Sequence, residues 1–147
     1  MYLVSSCLAG VNCRYDGDNS ENKTILKLVK EGKAIAVCPE QLAGLPTPRV
    51  PCEIVVDENG NKKIVNKDGK DLTKEFMTGA EKALAVAKAI GIKIAILKSK
   101  SPSCGCGFIY DGTFSGKLIK GNGFTTEVLI KNGFEVYTEN DLETAPL

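Results

Sequence analysis

Residues 92–107 read IKIAILKSKSPSCGCG. Ile92 to Leu97 is apolar apart from Lys93, with Gly91 before it and a Ser/Pro/Gly cluster after it. Such a run reads as a strand buried on both faces. It delivers the chain into a loop carrying Cys104 and Cys106. In open α/β sheets, ligands bind beyond the carboxyl ends of parallel strands, where this loop would lie.

The arrangement occurs twice more. Tyr2 to Ser5 is a short apolar run leading to Cys7, and Ala34 to Val37 leads directly to Cys38. If the three runs are parallel neighbours, Cys7, Cys38 and Cys104 converge on one edge of a sheet. Between the first two runs, Asn19 or Ser20 can cap a helix over residues 21–31 that stops at Gly32. This makes a right-handed βαβ crossover. The best helical pattern is Lys74 to Ile90, with Phe76, Ala80, Leu84 and Ala87 on one face, a cap at Asp71 or Thr73 and Gly91 as its end.

Cys38 to Cys52 contains four prolines, so an extended rather than helical course is expected. Glu53–Asp57 and Lys62–Asn66 flank Asn59-Gly60, which suits a type I′ turn in a projecting β-hairpin. Residues 110–123 are glycine-rich and either cover the site or form a short extra strand pair. A short helix starts at Thr125 or Thr126, a last strand spans Phe134 to Tyr137, and residues 138–147 read as a loose polar tail. The expected class is α/β: a single Rossmann-like domain over residues 1–147, mostly parallel sheet flanked by helices.

Composition narrows the function. The 147 residues are 43% hydrophobic and 25% charged, with a net charge of +1. That balance gives no electrostatic footprint for nucleic acid or a membrane surface. No apolar run approaches a membrane span, and the first residues read as a strand rather than a leader, so a cytoplasmic location is expected. The six cysteines of such a chain point to metal or redox chemistry rather than a disulfide framework. The chain has no histidine, which excludes Ser-His-Asp and Cys-His catalysis and any His-ligated zinc.

Each candidate has a plainer alternative. A free cysteine often packs as a small hydrophobe. The three cysteines at strand ends are flanked by turn residues, which favours a site with an open coordination position. Cys106, two residues past Cys104, is a possible fourth ligand, although a bystander role is favoured for it and for Cys13 and Cys52. Glu40 follows Cys38 by two residues and is either a solvated carboxylate or a general base beside a metal. Ser101 and Ser103 are either loop caps or hydroxyls that bind substrate or relay a proton. Tyr15, in Arg14-Tyr15-Asp16-Gly17, is either a ligand contact or part of a surface turn.

Four blocks carry a resemblance: CLAGVNCRYDG (Cys7 to Gly17), CPEQLAGLPTPR (Cys38 to Arg49), GKDLTKEF (Gly69 to Phe76) and LKSKSPSCG (Leu97 to Gly105). In order and over nearly the whole chain, they resemble the 2-thiouracil desulfidase family. The resemblance implies a [4Fe-4S] cluster on Cys7, Cys38 and Cys104 with one iron free for substrate. It also implies a catalytic carboxylate at Glu40, a catalytic hydroxyl at Ser101, and hydrolysis of a thiocarbonyl to a carbonyl plus hydrogen sulfide. The implied partner is a thiolated base or nucleoside; thiolated tRNA is a further option that the charge does not support. Cys52 and Cys106 depart from the family pattern. The alternative from another class is a thiolate-metal binding or sulfur-carrier module without turnover. A third is a regulatory or structural protein whose cysteines are simply buried.

Overall fold

A computed structural model describes all residues, Met1–Leu147. Its centre is a four-stranded sheet in which every neighbouring pair is parallel. The strands are β1 (Tyr2–Ser5), β2 (Ala34–Val37), β5 (Ile94–Leu97) and β8 (Glu135–Thr138), in the order β2-β1-β5-β8. β1 is central, with Leu3 opposite both Ile35 and Ala95. Alternation sends its residues to two cores. Leu3, Ala95 and Leu97 pack with Ala83 and Ala87 of α3 (Thr73–Ile90) and Leu129 of α4 (Phe124–Lys131). Val4 and Ile96 pack on the other face with Leu8 and with Ile25 of α1 (Lys23–Lys30). Covering both faces is what a parallel sheet requires, and it explains the unbroken apolar runs. Each Leu or Ile so buried contributes roughly 1.5–3 kcal/mol.

β3 (Cys52–Val56) and β4 (Lys62–Asn66) form the hairpin outside this sheet. Its inward residues Ile54 and Ile64 share a third core with Phe76 of α3, Ile109 and Phe124. β6 (Phe108–Tyr110) and β7 (Leu118–Lys120) make a second hairpin, so an extra strand pair is present, but its first strand begins at Phe108, ahead of residues 110–123.

Several local expectations change. α1 is capped by Asn22, whose Oδ1 accepts from Thr24 and Ile25, rather than by Asn19 or Ser20. Pro39–Leu42 forms a four-residue helix, α2, within the stretch expected to be extended. Proline at the first helical position loses no hydrogen bond, and its fixed φ suits the helix, so Pro39 starts it. The β3–β4 turn is not type I′, because only Gly60 is left-handed (φ 80°) and Asn59 is not. Asp57 Oδ1 instead accepts from Asn59 and Asn61, which stabilises a wider loop. The tail is tied down, since Thr138 and Asp141 form a capping box and Tyr2 Oη donates to Pro146 O at 2.6 Å.

Candidate functional site

β2, β1 and β5 are adjacent and parallel, so their three following loops leave one edge of the sheet side by side. Cys7 lies in the 3-10 turn Ser6–Ala9 after β1, Cys38 caps α2 after β2, and Cys104 lies in the turn after β5. All three line one cavity of ≈ 500 Å³ together with Glu40 and Ser101. That volume is within the usual range for a small-ligand site. The convergence expected of the strand ends is therefore present.

All six cysteines are free thiols. Cys13 and Cys52 also line the cavity. Cys13 is 1% exposed and its carbonyl accepts from Cys38 Sγ at 3.9 Å, so its surroundings are those of the site. Cys106 turns away, its Sγ donating to Val136 O at 3.7 Å. Burial pushes the Cys104 thiol up to about 12. The Cys38 thiol is raised by the neighbouring Cys13 and by burial. Soft thiolate donors of this kind select zinc, copper(I) or iron–sulfur centres. No three cysteine or carboxylate side chains converge tightly enough for a single metal ion, whose thiolates must all lie about 2.3 Å from one point. Three thiols on the wall of one cavity are the donor type that holds an iron–sulfur cluster.

Glu40 sits on the first turn of α2, two residues past Cys38. Burial pushes its carboxyl above the usual range, and the charge and hydrogen bond of Arg49 pull it back. Arg49 Nε lies 3.2 Å from Glu40 Oε1, with the two side chains 7% and 18% exposed. The same guanidinium donates to Cys13 O (2.9 Å), Pro46 O (3.2 Å) and Thr47 Oγ1 (2.9 Å). Arg49 thus ties the loop after β1, α2 and the proline-rich loop into one wall. The sequence reading missed it, although it ends the CPEQLAGLPTPR block. An arginine two residues before a proline–cysteine pair carries no local signal of the fork it makes.

Ser101 Oγ accepts from the N–H groups of Ser103 (3.0 Å) and Cys104 (2.9 Å). With both acceptor positions occupied, its remaining capacity is its own O–H, so it can donate but not accept. Tyr15 lines the cavity and is 44% exposed. Ser103 does not reach the cavity. It is 1% exposed and its hydroxyl pairs with Thr125 Oγ1 at 2.9 Å, which anchors the Cys104 turn to α4. Lys98, at the rim, pairs with Glu139 at 2.9 Å.

No helix of the chain is long and apolar enough to cross a membrane. The comparisons extend the geometry. A solved structure of a [4Fe-4S]-dependent thiouracil desulfidase, TudS, superposes with a TM-score of 0.87 and 43% identity, covering 97% of this chain and 92% of that one. The uncharacterized protein YbbK of Bacillus subtilis (strain 168) is 51% identical over 147 residues, 97% of both chains. The family model for 2-thiouracil desulfurase matches residues 2–141, and on that extent the chain belongs to the 2-thiouracil desulfurase family.

Proposed function

We propose that this chain is an iron–sulfur-dependent desulfidase that hydrolyses a thiolated pyrimidine, R₂C=S + H₂O → R₂C=O + H₂S, with a [4Fe-4S] cluster held by Cys7, Cys38 and Cys104. The observation that carries this is the meeting of those three thiols with Glu40 and Ser101 in one cavity at the sheet edge. The likeness to TudS supports the cofactor and the substrate class. The volume of ≈ 500 Å³ suits a free base or nucleoside.

When bound, the cluster supplies a Lewis-acidic iron toward the thiocarbonyl sulfur. The chain's own residues do the rest. Desolvation lifts the Glu40 carboxyl above its ordinary value, which suits a carboxylate that takes a proton from the attacking water. Arg49 fixes the direction of that carboxylate through Oε1 and leaves Oε2 for the water. Ser101, restricted to donating, aims its O–H at negative charge that develops on the substrate. Tyr15 contributes part of the substrate wall.

The test uses anaerobically reconstituted protein. Glu40→Gln is expected to keep the parent's iron and acid-labile sulfide and to lose about a hundred- to ten-thousand-fold in 2-thiouracil turnover. Cys7→Ala, Cys38→Ala and Cys104→Ala are each expected to lose the cluster, while Cys106→Ala keeps it. A Cys38→Ala variant with full iron would overturn the ligand set. Full iron in the parent with no turnover would favour the sulfur-carrier reading.

A further inference from the structure

One wall of the cavity is left unused by this chemistry, and it is aromatic. Between β6 and β7 the chain turns over residues 111–117, and Tyr110, Phe114 and Gly116 line the cavity. Phe114 has φ 56°. A bulky side chain rarely occupies this left-handed region, and such strain persists only where surrounding contacts impose it. The imposing group is Glu53 on β3. The residue is 9% exposed, and Oε1 accepts from the backbone N–H groups of both Gly112 (3.0 Å) and Phe114 (3.1 Å). Gly112 lies so close to β3 that a Cβ there would sit 2.7 Å from Ile54 O. A nearly buried carboxylate is thus committed to two amides of a surface turn. What that commitment fixes is the place of Phe114 on the cavity wall.

We infer that the turn is a recognition wall for a planar heteroaromatic ring: Phe114 stacks on the flat face of the base, and Glu53 is the positioning residue that holds it there. This deepens the proposed function and rests on its substrate class. A phenyl face offers no hydrogen-bond donor or acceptor, so it reads flatness and π-character rather than ring substituents. Specificity toward the thiocarbonyl then falls to the opposite, polar wall with Glu40 and Ser101.

The test measures binding apart from turnover. Equilibrium dialysis, with Glu40→Gln in every chain so that 2-thiouracil is not consumed, compares 2-thiouracil with its non-planar 5,6-dihydro analogue on the reconstituted protein with Phe114 (here the parent) and on Phe114→Leu. The parent is expected to prefer the planar ring. Leucine keeps apolar bulk but no flat face, so the preference should shrink by about five- to a hundredfold, the range for one base stacked on one aromatic ring. In turnover the loss should fall on KM, with kcat within a few-fold. Hydrogen exchange on the reconstituted protein tests the support. The Gly112 and Phe114 amides should be protected in the parent and in Glu53→Gln, whose amide oxygen still accepts, and should exchange freely in Glu53→Ala, with KM rising only in the last. An unchanged planar preference in Phe114→Leu, or no binding of either compound to the parent, would overturn the inference. So would protected amides in Glu53→Ala. Retained binding without turnover would instead overturn the proposed reaction alone.

Discussion

Replacing Arg49 by methionine should destabilise the metal-free protein by about 3 kcal/mol. Methionine keeps the apolar stem and removes only the guanidinium. The change leaves Glu40 with 18% exposure and no cation, and it strips donors from Cys13 O, Pro46 O and Thr47 Oγ1. Breaking a buried ion pair by removing one partner typically costs about 3–5 kcal/mol. The residual exposure of Glu40 and its ability to take up a proton hold the loss at the lower end. In a chain of this size, about 2–4 °C is lost per kcal/mol, so Tm should fall by roughly 6–12 °C. The assay is thermal unfolding of the parent, Arg49→Met, Glu40→Gln and the double variant. In the Glu40→Gln background no stranded carboxylate remains, so Arg49→Met should cost about 1–3 kcal/mol less. Arg49→Lys should recover only part of the loss, because an ammonium cannot reproduce the fork. An equal Tm shift in both backgrounds, or a shift under about 2 °C, would refute the claim that Arg49 acts through Glu40.

Two further outcomes follow from packing and charge. Gly79→Ala places a Cβ 2.1 Å from Pro39 O, a backbone atom that cannot swing aside, so α2 must move off α3. Urea unfolding should show a loss of about 1–3 kcal/mol, and unchanged stability would mean that the helices separate freely. Glu139 gives a pH effect. Burial raises its carboxyl, but hydrogen bonds from Lys98 and the Ser99 N–H, with the Lys98 charge, outweigh it and hold the group below its ordinary 4.5. A depressed carboxyl contributes stability that is full above its unfolded value and lost as pH falls through the folded one. The advantage of the parent over Glu139→Gln should therefore be complete by about pH 6 and shrink steadily below 4.5 in pH-dependent urea midpoints; a constant gap would contradict it.

The central sheet was legible because its strands are buried on both faces and so read as unbroken apolar runs. β1 and β2 fall where the sequence places them, and β5 begins two residues later, at Ile94, because Ile92 and Lys93 precede the pairing with β1. The meeting of Cys7, Cys38 and Cys104 on one cavity wall followed from topology, since no metal motif has their spacing. What sequence could not show depends on side chains meeting across long separations. Arg49 reaching Cys13 O, Ser103 turning to Thr125, and Glu139 holding Lys98 are contacts between distant segments. α2 was hidden for a different reason: four prolines dominate the composition of its stretch, while the decisive fact is that Pro39 stands at the first helical position.

The cavity is held by groups that do not themselves need to touch a reacting atom. Arg49 locks three segments on one wall, and Glu53 locks the 111–117 turn on another. Both are nearly buried, and both satisfy their polar atoms largely on loop backbone, which loops otherwise leave to water. Loops at a sheet edge are ordinarily the most mobile part of an α/β fold. Binding a large cofactor through loops that had to be ordered first would lose affinity to that ordering. With the walls fixed by buried ion-pair and carboxylate–amide contacts, the three thiols are presented by short turns directly at strand ends. The arrangement explains why the site's architecture rests on charged residues in a chain whose net charge is only +1.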